Sequence, residues 1–269
     1  MPRANRHYLP NHIWHLTHRC HKREFLLKFG RDRSRWRSWL FEARKRYGLS
    51  ILNYVATSNH IHLLVFAGED RHTIPLSLQL LAGRTGQQFN CRKSRQGAFW
   101  EDRYHATAIE NGEHLNRCMT YIDMNMVRAG VVNHPGDWRW SGYVEIQNPP
   151  RRYTVIDRSL LCSLLNFSDH NALAAWREHC IATALDKHVD LCRERCAEWT
   201  ESIAVGSHAY VQEVQNRLGM TAINRRIKEI GKEEGAYVLC EESRPYNGDF
   251  TTENEVLSCE NTLPWRLIS

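Results

Sequence analysis

The order in which strand-like and helix-like hydrophobic patterns follow one another constrains the fold of this chain more than any other sequence feature. Alternating apolar residues indicate a half-buried strand, whereas apolar residues three or four positions apart indicate a helix. Six segments are predicted in this way, in chain order: a strand (12–18), a helix (31–47), two strands of a hairpin (50–57 and 60–67), a helix (73–90) and a strand (99–109).

The succession strand, helix, strand, strand, helix, strand is that of the ferredoxin-like fold. Its antiparallel sheet has helices packed on one face, and the other face is left open for a ligand. We therefore predict an α+β protein built on a ferredoxin-like antiparallel sheet. A third helix is expected next, because Asn111 is a suitable N-cap and apolar residues then recur at helical spacing as far as Gly130.

His60 and His62, on either side of Ile61, are the most informative residues of the predicted sheet. Since side chains alternate along a strand, both imidazoles should lie on one face, where two neutral imidazoles side by side can hold a divalent metal ion. The 15 histidines among 269 residues make about one such spacing expected by chance. Taken alone, the pair could equally be two polar residues at the start of a strand.

Tyr121 and Asn125 supply what a metal-assisted phosphoryl transfer would need besides the two histidines. They are one helical turn apart on the predicted third helix, so their side chains share one flank. A phenol can serve as a covalent nucleophile, and an amide oxygen is a suitable ligand for a hard divalent cation. Tyr121 alone would more often be a packing residue, and Asn125 an exposed one. The four residues together predict a nuclease or a transposase.

The two halves of the chain differ in charge. Residues 1–150 contain 22 Lys and Arg against 12 Asp and Glu, a net charge of +10, whereas residues 151–269 contain 14 against 18, a net charge of −4. A basic first half is typical of a protein that faces a polyanion such as DNA. The candidate phosphate contacts are cations of the loop after the second helix and of the fourth strand, namely Arg92, Lys93, Arg95 and Arg103. Each of them could equally be a solvated surface cation.

The stretch from Asn148 to Arg152 contains two prolines and marks a predicted boundary between a first domain (1–150) and a C-terminal region (151–269). Helical patterns dominate the C-terminal region, over residues 170–199, 207–218 and 222–230. We therefore expect a mainly helical appendage. It could form a stabilising helical layer, regulate access, contact a partner, or bind DNA through the cations at 225, 226 and 228.

The spacing of cysteines and histidines indicates the expected redox compartment and which histidines are structural. Nine cysteines scattered from Cys20 to Cys259 do not form a disulfide framework and fit a reducing cytoplasm, and the pair at 192 and 196 is expected on one helix face. Nothing after Met1 resembles a signal peptide, and no apolar run approaches membrane-spanning length. Four histidines at spacing three cannot share one strand face, so we interpret them as structural: His12, His15, His18 and His21.

Several motifs, taken in order along the chain, resemble those of a known family. They are Tyr8-Leu9-Pro10, His15-Leu16-Thr17-His18-Arg19, Asn59-His60-Ile61-His62-Leu63-Leu64, Gly97-Ala98-Phe99-Trp100-Glu101-Asp102-Arg103-Tyr104, Tyr121-Ile122, Val127-Arg128-Ala129-Gly130 and Trp138-Arg139-Trp140-Ser141. Over residues 2–146 the chain resembles the single-tyrosine HUH transposases, and most closely the REP-associated tyrosine transposases. It departs from the family pattern at Asn125-Met126, where Asn-Pro is usual, and at Ala56-Thr57-Ser58, where Met-Pro commonly precedes the Asn-His.

This resemblance implies a transposase that cleaves and rejoins single-stranded DNA at palindromic hairpins, such as repeated extragenic palindromes. Tyr121 would form a 5′-phosphotyrosine, and His60, His62 and Asn125 would hold Mg²⁺ or Mn²⁺. Related transposases are monomers or dimers that share active sites. Two alternatives stay open: a hairpin-binding protein that does not cleave, and a metal hydrolase acting on a small substrate, which would need additional carboxylate or histidine ligands on neighbouring strands.

Overall fold

A single sheet contains all seven strands found in the described part of the chain. The computed structural model describes residues 8–187, 196–222, 224–230 and 235–241. The strands are β1 (His12–Arg19), β2 (Ser50–Ala56), β3 (His60–Ala67), β4 (His105–Ile109), β5 (Ala204–Gly206), β6 (Arg225–Glu229) and β7 (Tyr237–Glu241). Their order across the sheet is β2-β3-β1-β4-β5-β7-β6.

Nine α-helices accompany these strands within the same residues. They are α1 (Gly30–Tyr47), α2 (Thr73–Lys93), α3 (Glu113–Asp123), α4 (Asn125–Arg128), α5 (Gly142–Gln147), α6 (Arg158–Leu164), α7 (His170–Lys187), α8 (Glu198–Glu201) and α9 (His208–Leu218). Short 3₁₀ turns lie at His21–Arg23, Pro135–Asp137 and Gly219–Ala222. No helix among the described residues combines the length and the apolar character needed to cross a bilayer.

The first four strands confirm the predicted ferredoxin-like core. β1 is central and antiparallel to both β3 and β4, and β3 is also antiparallel to β2. Strand β4 is shorter than predicted and begins at His105, because the preceding residues cross the end of β1 instead. There, the backbone N–H of Glu101 donates to the carbonyl of Arg19 at 2.9 Å, so the loop before β4 lies at the end of the sheet that carries His60, the partner of Arg19 in β3.

Helices cover both faces of this core. On one face, Trp14 and Leu16 of β1 line a cavity of about 230 Å³ together with residues at the start of α2. The other face, which was expected to be open, carries His15 and is covered near its centre by α3 and α8. Helix α3 is amphipathic, and its side chains Leu115 and Ile122 are fully buried, because an apolar helix face has to be removed from water.

The region after residue 150 contains helices, as predicted, but it also extends the sheet. Strand β5 runs parallel to β4, which makes the sheet mixed, and β7 pairs with β5 and β6. The helix predicted over residues 222–230 was wrong, since Arg225–Glu229 forms β6. Its backbone hydrogen bonds go to β7, from Arg225 opposite Glu241 to Glu229 opposite Tyr237, and such pairing overrides a weak local helical pattern. Cys192, one of the two cysteines expected on one helix face, lies outside the described residues.

Candidate active site

The two histidines of the predicted pair lie on one face of β3, as strand alternation predicted. Their ring centroids are 5.0 Å apart and the rings are nearly perpendicular. His62 is 2% exposed. His60 is half-buried, and its Nδ1 lies 2.7 Å from Oδ1 of Asn59. Because an amide oxygen only accepts, Nδ1 of His60 carries the proton in a neutral ring, and Nε2 has the lone pair that a metal ligand needs.

Tyr121 and Asn125 reach the same place from α3 and α4. Nδ2 of Asn125 lies 3.1 Å from Nε2 of His62, and the ring centroid of Tyr121 lies 5.6 Å from that of His62. The single helix that was predicted is interrupted at Met124, but the amide of Met124 still donates to the carbonyl of Thr120 at 2.9 Å. The turn between Tyr121 and Asn125 is therefore preserved, and all four predicted residues come together.

A buried ion pair holds α3 in position. Nη2 of Arg177, on α7, lies 2.6 Å from Oδ2 of Asp123, and both side chains are fully buried. The other carboxylate oxygen accepts from Asn53 of β2 at 2.9 Å, and Nη1 of Arg177 donates to Asn116 at 2.6 Å. Burial raises the pKa of Asp123, although Arg177 acts in the opposite direction. The C-terminal region thus contacts α3, the helix that carries Tyr121. Asp123, the α3 residue of the ion pair, follows Tyr121 by two residues.

His15 joins the site through a series of hydrogen bonds that we call the histidine chain. Its Nδ1 lies 2.8 Å from the carbonyl oxygen of Trp199, and its Nε2 lies 2.9 Å from Nδ1 of His62. The planes of the two imidazoles are nearly parallel, at 12° to each other, and their centroids are 5.0 Å apart, as expected for rings joined edge to edge by this hydrogen bond. Burial lowers the pKa of His15 to about 3, and burial together with the neighbouring His60 places the pKa of His62 well below its ordinary value. Both rings are therefore neutral at pH 7.

Sequence spacing did not indicate this position of His15. The ring N–H groups of His12 and His18 donate to backbone carbonyls, of Pro10 at 2.8 Å and of Asp102 at 2.7 Å, as expected for structural histidines. His15 instead lies on the face of β1 that also carries Thr17, the register partner of His62. The signal would have been the alignment of β1 with β3, and the sequence does not specify that alignment because 47 residues separate His15 from His62.

Arg128 and Trp199 surround Tyr121. The guanidinium of Arg128 lies 4.1 Å from the centroid of the Tyr121 ring, and the Trp199 ring lies 6.3 Å from it. Arg128 follows Tyr121 by seven residues, which is two helical turns, so helical spacing could have identified it. Its positive charge also contributes to lowering the pKa of His62, after burial and the two other histidines.

The residues present fit a divalent cation of the predicted kind. Among the described residues, no three His, Cys, Asp or Glu side chains converge on one point, so a site here needs Asn125 as the third ligand. The Asn125 amide already faces Nε2 of His62, and a cation would require its Oδ1 in place of Nδ2. Imidazole nitrogens and an amide oxygen form a mixed donor set that suits Mn²⁺ or Mg²⁺ with water completing the shell.

The four cations predicted to contact DNA lie at the C-terminal end of α2 and in the loop before β4. Arg92 pairs with Asp32, and Lys93 has its Nζ 5.5 Å from the centroid of the Phe29 ring. Arg95 donates to the carbonyl of Ala98 at 2.9 Å and lies 3.9 Å from Glu24. Arg103 is exposed, two residues after Glu101, which bonds to the end of β1.

Comparison with known proteins supplies a family for the first half of the chain. Residues 8–125 match the family described as IS200-like transposases. No curated protein matches the chain significantly. Among solved structures, a REP-associated tyrosine transposase bound to a REP hairpin is 20% identical, with a TM-score of 0.46 over 58% of this chain and 94% of that chain. A candidate transposase from Deinococcus radiodurans R1 is 16% identical, with a TM-score of 0.32 over 47% of this chain and 95% of that one.

The matched segment contains every residue of the predicted site, from His60 to Asn125, and also His15. The family is one of DNA-processing enzymes, which agrees with the function class predicted from the four side chains. Residues 8–125 of this chain therefore match the IS200-like transposases, and the family that the sequence motifs indicated is confirmed.

Proposed function

We propose that the protein is a metal-dependent transposase that cleaves and rejoins single-stranded DNA through a covalent bond to Tyr121. The observation that supports this most directly is the convergence of Tyr121, His62 and Asn125 from two segments of the matched region. His62 and Asn125 are 63 residues apart, yet their side chains are 3.1 Å from each other. A phenol beside neutral imidazoles and an amide is the set of groups that a nucleophile and a cation site require.

Tyr121 would act as the nucleophile. Its oxygen attacks the scissile phosphorus as the bond from phosphorus to the 3′ oxygen breaks, the phenol loses its proton, and the departing 3′ oxygen gains one. The product is a 5′-phosphotyrosine and a free 3′ hydroxyl, and reversal of the same step rejoins a strand. Arg128, above the Tyr121 ring, would favour negative charge on the phenol oxygen as the proton leaves.

His60, His62 and Asn125 would hold Mg²⁺ or Mn²⁺. A cation bound there supplies Lewis-acid polarisation of the scissile phosphate. The contribution of the protein is to present the ligand atoms in the correct protonation state: Nε2 of His60, whose Nδ1 faces Asn59, and Nε2 of His62, which faces Asn125. The hydrogen bond to His15 and the burial of His62 would also limit how far that ligand can move.

The substrate we propose is single-stranded DNA that carries palindromic hairpins. The sequence resemblance to REP-associated transposases and the basic first half of the chain support this part of the proposal. Among the predicted phosphate contacts, Arg103 is exposed, whereas Arg92 and Arg95 are engaged with Asp32 and Ala98. We therefore propose Arg103 and Lys93 as the principal phosphate contacts, with Arg92 and Arg95 holding the end of α2 against its neighbours.

A cleavage assay tests this function. A labelled single-stranded hairpin oligonucleotide incubated with the protein and Mn²⁺ should give a covalent protein–DNA adduct on a denaturing gel. Tyr121→Phe should abolish the adduct, whereas Tyr153→Phe, which alters a 73% exposed tyrosine, should leave it unchanged. Tight hairpin binding by the unmodified protein without any adduct would overturn the proposal in favour of a hairpin-binding protein that does not cleave.

The same proposal assigns different roles to the two predicted regions of the chain. Residues 1–150 would supply the nucleophile and the cation ligands, and residues 151–269 would support them. Two contacts favour this assignment. Arg177 donates to Asp123, which lies on the same helix as Tyr121, and His15 donates to the Trp199 carbonyl.

A further inference from the structure

The histidine chain has a defined direction of hydrogen bonding. The carbonyl oxygen of Trp199 can only accept, so Nδ1 of His15 must donate to it at 2.8 Å. In a neutral His15, Nε2 then carries a lone pair and faces Nδ1 of His62 at 2.9 Å. That short contact is a hydrogen bond only when Nδ1 of His62 carries the proton, which leaves the lone pair of His62 on Nε2, the atom that faces Asn125.

Burial removes the alternatives to this arrangement. His15 is 0% exposed and His62 is 2% exposed, so water cannot easily replace either partner. The other tautomer of His62 would place two lone pairs opposite each other and leave a buried contact without a proton. His62 thus has one tautomer that its surroundings satisfy, and it is the tautomer that a metal ligand bonding through Nε2 requires.

We propose that His15 is a positioning residue, which fixes the tautomer of His62 so that its Nε2 lone pair is presented to the cation site. The backbone carbonyl of Trp199 sets the direction of hydrogen bonding along the histidine chain. This inference rests on the proposed function for the identity of the cation site. It adds a role for two residues, His15 on β1 and Trp199 in the C-terminal region, that do not themselves contact the cation or the substrate.

The segment that carries the Trp199 carbonyl is held in place independently of His15 and His62. The hydroxyl of Thr107, on β4, donates to the Ser202 carbonyl at 2.7 Å and lies 3.4 Å from the Trp199 carbonyl. Nε2 of His105 also contacts the Ser202 carbonyl, at 2.9 Å. Trp199 lies outside the matched residues 8–125, so the proposed positioning of His62 depends on a segment outside the matched region.

The tautomer can be read directly in the metal-free protein. Long-range ¹H–¹⁵N correlation spectra distinguish a histidine protonated at Nδ1 from one protonated at Nε2, and the His62 signals are assigned by their loss in His62→Gln. We expect His62 to be protonated at Nδ1. Protonation at Nε2 in the unmodified protein would overturn the proposal without recourse to any variant.

Substitution of His15 tests its influence on His62. His15→Leu removes the acceptor and should shift His62 toward the other tautomer, and it should weaken Mn²⁺ binding by roughly 10- to 100-fold, the usual effect of losing a partner behind a ligand. The amide of His15→Gln can both accept and donate, so this variant should recover much of the affinity. Free Mn²⁺ measured by electron paramagnetic resonance gives the affinities.

His12→Leu is the matched control, because His12 lies on the same strand and bonds to a backbone carbonyl but points to the opposite face. It should leave both the His62 tautomer and Mn²⁺ affinity unchanged. If His15→Leu also leaves both unchanged, His15 has no positioning role. Since neither readout uses DNA, a protein that shows the Nδ1 tautomer but forms no adduct would contradict the proposed function and support the histidine chain.

Discussion

Nδ2 of Asn125 lies 3.1 Å from Nε2 of His62, although the two residues are 63 positions apart in the chain. The contact brings the start of β3 to the junction of α3 and α4, and Tyr121 lies one turn before that junction. It is therefore the point at which the candidate nucleophile and the candidate cation ligands become a single site.

Asn125 should decide cation affinity. In Asn125→Leu the third ligand is lost, and we expect Mn²⁺ affinity to fall by at least the roughly 10- to 100-fold that follows the loss of a supporting partner. Asn125→Asp keeps an oxygen ligand and should retain binding. Titration monitored by electron paramagnetic resonance measures both, with Asn133→Leu, an exposed position, as the control. Unchanged affinity in Asn125→Leu would remove Asn125 from the proposed ligand set.

Arg177 should be important for stability. Arg177→Leu leaves Asp123 buried without its cation, and breaking a buried ion pair in this way costs about 3–5 kcal/mol of the free energy of unfolding. Urea unfolding measures the loss. The control is Arg217→Leu, whose exposed pair with Glu213 at 3.5 Å should contribute less than about 1 kcal/mol. Adding Asp123→Asn to Arg177→Leu should restore part of the stability, and no restoration would argue against an uncompensated charge as the cause.

Acid should destabilise the fold through His15. Its pKa is about 3 in the folded protein against 6.5 for a free imidazole, so below pH 6.5 the unfolded chain binds a proton that the folded protein does not. Stability from this source is complete above pH 6.5 and decreases as the pH falls, by about 2 kcal/mol between pH 7 and pH 5. The lowered pKa of His62 acts in the same direction.

The measurement is urea unfolding at the two pH values. His15→Gln should reduce the pH dependence, whereas His179→Gln, at an exposed position, should retain it. An equal pH dependence in the unmodified protein and in His15→Gln would mean that His15 is not buried in the neutral form.

Arg128 should affect the rate of adduct formation. In Arg128→Met the cation above the Tyr121 ring is lost, and a contribution of about 1.4 kcal/mol, within the range of such contacts, corresponds to about a tenfold slower reaction. The rate constant for adduct formation under single-turnover conditions reports this effect. Arg139→Met, which removes a similar contact to Trp140 at 5.3 Å, should leave the rate unchanged, and equal rates in all three proteins would exclude Arg128 from the site.

Arg103 should contribute to DNA affinity without sequence preference. In Arg103→Ala the slope of log affinity against log salt concentration should decrease by about 1, as expected for the loss of one phosphate contact. Fluorescence anisotropy with a labelled hairpin at several salt concentrations measures the slope. Arg151→Ala, at an exposed position after the predicted boundary, is the control. A slope that Arg103→Ala leaves unchanged would show that Arg103 does not contact a phosphate.

Local sequence patterns predicted the features that depend only on residues close together in the chain. The order of six segments followed from hydrophobic period, and His60 with His62 and Tyr121 with Asn125 followed from strand and helix geometry. The register of β1 against β3, which brings His15 to His62, depends on residues 47 positions apart, and no local pattern encodes it.

The segment 222–230 shows that contacts with residues distant in the chain can also override a local pattern. Its spacing is compatible with a helix, yet pairing with β7 makes it a strand, because backbone hydrogen bonds to a neighbouring strand outweigh a marginal propensity. The role of Arg177 could not be predicted from a local pattern either, since its partner Asp123 is 54 residues earlier in the chain. The sequence therefore predicted which side chains converge at the candidate site better than which residues support them.

The position of α8 has a practical consequence for anyone who shortens this protein. A fragment that stops at residue 150 would include Tyr121, His60, His62 and Asn125, but His15 would face a gap where the Trp199 oxygen accepts its proton in the intact chain. Such a fragment would lack the only partner that Nδ1 of His15 has in the described structure, so residues 8–125 should be transplanted or truncated only together with residues 196–206.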